Sequence, residues 1–234
     1  MTLTCVSGYW RIKNKHGNNF EKWFETTLKI NCPYVFFTDE DTINIIKKHR
    51  GDLPTYYIEL SIDDFYTQRF KDRMITHEAH CPSIELNLVW NEKIYLIQKA
   101  LEINPFNSDF FMWMDAGMSS FRNRMPPPIP FPDVRKLNQL PKDKFIYSSS
   151  HNFTYNKNFK KGQYHLHHHV SGTYVLHKSI INNFADIFTK YLEQLVDESD
   201  IWTDQVILTH IYKDKPELFF KLCDNYATIP YYLY

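Results

Sequence analysis

The sequence predicts an α/β fold with a mostly parallel central sheet flanked by helices. Three observations predict it. Short apolar runs alternate with helix-period segments through the first half of the chain. Their lengths and flanking turn residues mark the runs as strands rather than buried helix. The resulting β-α-β-α-β order implies parallel strands covered on both faces.

The elements follow in order. "TLTCVSGYW" reads as a strand ending near Ser7 and Gly8. "NFEKWFETTLKI" places Phe20, Trp23, Phe24, Thr27 and Leu28 on one helical face. "PYVFFTDED" is a second buried strand, ending at Thr38 and Asp39. Asp41 is expected to cap a short helix that turns Ile43 and Ile46 inward. Lys47, Lys48 and Arg50 sit near its C-terminus, where cations suit the dipole. "TYYIEL" is a third strand, and a long helix is expected from about Ser83 to Ile103. "NPFNSDFFMWMDAG" then supplies the fourth strand, an apolar run stopped by Asp115.

"MPPPIPFPD", Met125 to Asp133, forms neither helix nor central strand. It either divides two domains or is a loop within one, and the short remaining chain favours the loop. "FIYSSS" and "SGTYVLHK" read as strands separated by a histidine-rich loop. Ser179 is expected to cap a helix carrying Ile180, Phe184, Ile187, Phe188, Tyr191 and Leu195 on its apolar side. "DIWTDQVILTHIY" is the last predicted helix.

Composition narrows the function. With 234 residues the chain can bury a core without disulfides or metal. Twenty-seven basic residues balance twenty-seven acidic ones, which argues against a nucleic-acid or membrane-surface partner. No apolar stretch approaches the roughly 20 residues that span a bilayer. The N-terminal residues lack a charged-then-apolar signal layout, so a cytoplasmic location is expected. Cys5, Cys32, Cys81 and Cys223 form no CxxC pair and read as reduced thiols.

Ligands of open α/β sheets bind outside the carboxyl ends of the strands. Those ends carry Ser7, Gly8 and Tyr9, then Thr38 and Asp39, then Asp115, Ala116 and Gly117. Small residues after Asp115 would admit a ligand close to the backbone. The acid itself reads either as an ordinary strand-to-loop transition or as a ligand for a hard divalent cation. In the preceding helix, Lys93 interrupts the face formed by Leu86, Val89, Trp90, Leu96, Ile97 and Ala100. Such a lysine snorkels, pairs with a structural anion, or steers a bound diphosphate. Arg122 could add a second positive charge.

"VWNEKIYLIQKALEINPFNSDFFMWMDAGMSSFR" resembles the central signature of the HtrL/YibB-like family, whose members are read as glycosyltransferases of GT-A fold. "GYW", "VFFTDED", "SGTYVLHK" and "TDQVIL" fall in the same order as in that family. The resemblance implies one GT-A-like domain over residues 1–234, with a nucleotide-binding half of about 1–122 and an acceptor and sugar half of about 123–234. It implies transfer of a sugar from a UDP-sugar to a glycan or protein hydroxyl, assisted by Mn²⁺ or Mg²⁺. By the same resemblance Asp115 would anchor metal and diphosphate, with Lys93 and Arg122 adding charge. Ser7 to Tyr9, Thr38 and Asp39 would cradle base and ribose. Gly172 and Thr173 would line the sugar pocket, and Asp204 and Gln205 would meet acceptor or transferring sugar. The chain departs from the GT-A pattern in having Asp-Ala-Gly where Asp-x-Asp is common.

Simpler readings stand beside these. Asp204 in a first helical turn can serve only the dipole, worth roughly 0.3–1 kcal/mol. His165 and His167 to His169 make a polar loop or an acceptor or metal loop. "HEAH", His77 to His80, lacks the spacing of a zinc hydrolase. "NFT" at Asn152 matches a glycosylation site by chance. The rival functions are a metal-dependent phosphoesterase and a non-catalytic carbohydrate-binding scaffold, the latter favoured by 17% aromatic content.

Overall fold

The computed structural model describes residues 1–17, 19–150 and 169–234. Its seven strands form one sheet: β1 (Leu3–Tyr9), β2 (Tyr34–Thr38), β3 (Thr55–Glu59), β4 (Phe110–Trp113), β5 (Phe145–Ser149), β6 (Val170–His177) and β7 (Phe219–Asp224). They are ordered 3-2-1-4-6-5-7. All neighbours are parallel except β6, which runs antiparallel to both β4 and β5. The mostly parallel α/β architecture is therefore as predicted.

Helices α1 (Asn19–Lys22), α2 (Phe24–Thr27) and α3 (Ile43–Arg50) precede the long α4 (Ile84–Ile103). They are followed by α5 (Val134–Leu137), α6 (Ile181–Glu198), α7 (Asp204–Asp214) and α8 (Ile229–Leu233). Side-chain alternation along the strands builds two cores. Val6, Phe111 and Trp113 face α4, α6 and α7, whereas Cys5, Phe110 and Met112 face Phe24, Ile46, Leu137 and Leu233. Both cores draw on both halves of the chain. The proline-rich stretch is stitched to the rest, with Phe131 buried and its amide donating to the Asn31 carbonyl at 2.8 Å.

Helix α4 starts where the sequence places it. The Ser83 hydroxyl accepts from the Leu86 amide, a cap worth about 1 kcal/mol. Asn104, left-handed at φ 36°, ends it and bonds Ser108, turning the chain into β4. Other boundaries differ. The first predicted helix is two short pieces broken at Trp23. Asp39, not Asp41, ties down the start of α3, its carboxylate accepting from the Thr42 amide at 2.9 Å. Ser179 caps nothing, because its hydroxyl is engaged with His177 and the Lys142 carbonyl. The helix predicted from Asp200 starts at Asp204. Strand β7 and helix α8 were not expected: β7 is a half-exposed edge strand with too little apolar periodicity to announce itself.

Candidate functional site

Strands β2 and β3 lie on one side of β1 and β4 on the other, so the chain reverses direction of spread between β1 and β4. Such a switch point opens a crevice at the carboxyl strand ends. The antiparallel β6 pairs Tyr174 with Trp113, so its first residues run beside the end of β4. That places Gly172 next to Asp115, which no sequence-local pattern could do.

Lys93 is the centre of the site. It is only 2% exposed, and its Nζ lies 3.3 Å from Asp115 Oδ1, 3.6 Å from Asp204 Oδ2 and 3.3 Å from the Gly172 carbonyl. A Cβ on Gly172 would stand 3.0 Å from that ammonium and 3.3 Å from Gln205 Nε2, so the absent side chain leaves room for both. Burial works to strip the Lys93 proton, but Asp115 and Asp204 outweigh it and hold the lysine charged. Burial pushes the Asp204 carboxyl up to about 6, against the pull of Lys93 and with the push of Asp115. Two carboxylates thus share one ammonium. They are not equivalent: Asp204 is 1% exposed and stands behind Lys93, whereas the Asp115 side chain is 27% exposed. The Trp113 indole N–H donates to Asp115 Oδ1 at 2.8 Å, so Oδ2 is left without a hydrogen-bond partner among the described residues on a side chain that lines the cavity.

The cavity in front has a volume of about 420 Å³. Trp10, Trp90, Trp113 and Trp202 give it aromatic walls, and Lys15, His16 and Arg122 also line it. Arg122 stacks on Trp23 at 3.8 Å and its Nε donates to the Gly117 carbonyl at 2.8 Å. Neither Lys15 nor Arg122 is ion-paired with a carboxylate among the described residues. Burial, then Arg122 and Lys15, drive His16 down to about 4, so it is neutral near pH 7.

The sequence-predicted residues divide into two groups. Lys93, Asp115, Asp204, Gln205 and Gly172 converge, and Gly8, Tyr9, Ala116, Gly117 and Arg122 line the cavity. Ser7, Thr38, Asp39 and Thr173 do not line it. Ser7 and Thr38 are fully buried, and the Thr42 hydroxyl bonds both the Thr38 hydroxyl and Asp39. Trp10 follows the end of β1 and packs against Gly8. Its indole donates to the Leu60 carbonyl at 2.8 Å and its ring meets Phe65 edge-on at 5.0 Å. Gly8 and Gly117 admit protein rather than ligand, since a Cβ would lie 2.6 Å from the Trp10 ring and 2.8 Å from the Phe20 ring.

Of the histidine-rich loop only His169 is described; His165, His167, His168 and the Asn152 motif lie outside the described residues. His169 pairs with the Tyr147 hydroxyl at 2.7 Å, away from the cavity lining. His80 of "HEAH" does line the cavity, beside Trp202 at 5.7 Å between rings. Sequence reasoning missed Lys15, His16, Trp202 and Tyr226. The available signal was the basic run "RIKNKH" directly after the first strand end.

The described residues do not fit Mn²⁺ or Mg²⁺ held by the protein. Asp115 is the sole acid among the described lining residues, and one of its oxygens already faces an ammonium. A hard cation wants several oxygen ligands and would sit here in the field of Lys93, Lys15 and Arg122. Among the described residues no cluster of three His, Cys, Asp or Glu side chains is positioned to ligate a metal. Likewise, among the described residues no helix is long and apolar enough to cross a membrane.

No curated protein matches the chain. A family model described as "Bacterial protein of unknown function (HtrL_YibB)" matches residues 56–226, a span that includes Lys93, Asp115, Arg122, Gly172 and Asp204. That is nearly three quarters of the sequence, so the chain belongs to the HtrL_YibB family.

Proposed function

We propose that this protein is a glycosyltransferase of GT-A type that moves a sugar from a nucleotide-sugar donor, a UDP-sugar first of all, to a hydroxyl acceptor on a glycan or protein. The observation that carries the reading is Lys93, kept charged by Asp115 and Asp204 on the wall of a cavity at the sheet's switch point. The motif order from Trp90 to Arg122 supports it by resemblance.

In transfer, the bond from the anomeric carbon to the diphosphate oxygen breaks, and its electron pair leaves on the diphosphate. The acceptor oxygen forms the new bond to that carbon. Its proton passes to the open Oδ2 of Asp115, the carboxylate that faces the cavity. Lys93 stabilises charge developing on the departing phosphate, in a recess where desolvation strengthens electrostatics. Gln205 is placed to bond a sugar hydroxyl, and the tryptophan faces suit an apolar face of a sugar ring. Asp204 positions Lys93 from behind and does not reach substrate.

The test is UDP release from UDP-glucose, UDP-galactose and UDP-N-acetylglucosamine, with water or simple sugars as acceptors. Release from at least one donor is expected, and its loss in Asp115→Ala, whose retained fold is checked by circular dichroism. Hydrolysis of p-nitrophenyl phosphate without UDP release would favour a phosphoesterase. Tight UDP binding with no release from any donor would favour the non-catalytic scaffold.

A further inference from the structure

We infer that the diphosphate of the donor is neutralised by this chain's own cations, Lys15 and Arg122 on the cavity wall with Lys93 at the reacting end, so that nucleotide binding needs no divalent metal. This rests on the nucleotide-sugar reading and specifies how that site meets the donor's charge.

The argument begins with an imbalance. Lys93 is already matched by Asp115 and Asp204. Lys15 and Arg122 are not: both line the cavity without an ion-pair partner among the described residues. Burial and its neighbour's charge each make Lys15 a weaker base, Arg122 being that neighbour. Holding two like charges beside one recess is unfavourable unless an anion joins them. A diphosphate carries the charge to do so and accepts bonds from both.

Arg122 is built for this task. Its Nε is fixed by the Gly117 carbonyl and its plane by Trp23, which leaves the two terminal nitrogens of the fork without a hydrogen-bond partner among the described residues. Lys15 sits in the loop after β1 and presents a movable point charge. His16, neutral between them, adds a hydrogen-bonding ring rather than further repulsion. A protein-held metal, by contrast, would have the single open oxygen of Asp115 as its carboxylate ligand.

Calorimetry on the full chain tests this with UDP, GDP and uridine, in EDTA and in Mn²⁺, for the parent, Lys15→Gln and Arg122→Gln. The expected result is UDP affinity equal in EDTA and Mn²⁺ to within about twofold. Each variant should weaken UDP roughly tenfold or more, the size of a lost charge-assisted bond, and leave uridine unchanged. Arg122→Gln also removes the stack on Trp23, so Lys15→Gln carries the test if the arginine variant melts early. UDP binding that vanishes in EDTA and returns with Mn²⁺, with Lys15→Gln neutral, overturns the inference and leaves the transferase reading standing. Failure of both UDP and GDP to bind under either condition overturns both.

Discussion

Two buried cations, Arg50 and Lys93, differ in what they face, and the difference separates fold from site. Arg50 is 1% exposed and Lys93 2%. Arg50 spends its donors on neutral partners: the carbonyls of Leu28, Ile30, Cys32 and Pro54 and the Thr55 hydroxyl, with Tyr34 stacked at 4.0 Å. None of these hydrogen-bond acceptors titrates, and none lines the cavity. Lys93 instead faces two carboxylates and one carbonyl, one carboxylate opening on the cavity. A cation solvated by fixed carbonyls ties segments together. A cation held by ionised groups beside a recess can exchange partners when a ligand arrives.

The largest effect should come from Arg50→Ala. It takes the guanidinium from the buried carbonyls of Leu28 and Cys32 at a cost of about 1–3 kcal/mol each, while those of Ile30 and Pro54 keep the amides of Cys32 and Tyr34. With the void left by so large a buried side chain, the loss is expected to reach about 4 kcal/mol, seen as a melting temperature lowered by ten degrees or more, or as insoluble chain. A shift of under about 2 °C would mean that water replaces the guanidinium and that Arg50 is no anchor.

Lys93→Met should be smaller in stability and larger in activity. It leaves Asp115 and Asp204 without their cation, a cost of about 3 kcal/mol for a broken buried pair. Because Asp204 takes a proton near 6, the deficit should shrink on lowering pH from about 7 to 5. UDP release should fall by roughly a hundredfold or more, the size of a lost charge donor. A variant equally destabilised at both pH values would place Lys93 in the same class as Arg50.

Gly172→Ala sharpens the contrast. The new Cβ meets the flexible end of Lys93 rather than backbone, so stability should change by less than about 1 kcal/mol. The ammonium must shift by a few tenths of an ångström, and transfer should fall roughly tenfold. Full activity would show that the seat of Lys93 is looser than its distances imply.

Much of this was legible in sequence because its causes are local. The Ser83 cap, the 3.6-residue period of α4 and the apolar run before Asp115 all lie within a few residues of what they determine. The long-range facts were hidden. Arg50 looked like a cation at a helix end, whereas its partners arrive from residues 28 to 55. Thr38 and Asp39 read as ribose ligands at a strand end, whereas the Thr42 hydroxyl engages both and neither lines the cavity. Asp204 was expected to meet acceptor or transferring sugar, but it is 1% exposed beside Lys93 and does not line the cavity. Lys15 and His16 belong to a loop with no period to read.

The smallest effect is a pair of opposed pH slopes. Asp204 rises from 3.8 to about 6 on folding, so the native state holds the extra proton between those values. Stability from this group is therefore complete below about pH 4 and is lost as pH rises through about 6. His16 falls from 6.5 to about 4, so the unfolded state holds the extra proton, and stability is lost as pH falls through that window. In the parent the two slopes oppose each other. Urea midpoints measured from about pH 4 to 7 should rise more steeply with pH in Asp204→Asn than in the parent, and less steeply in His16→Gln. Parallel curves for parent and Asp204→Asn would mean that Asp204 ionises as it does in the unfolded chain. The pull of Lys93 would then balance the whole cost of burying the carboxylate, making Asp204 its permanent counter-charge across this pH range.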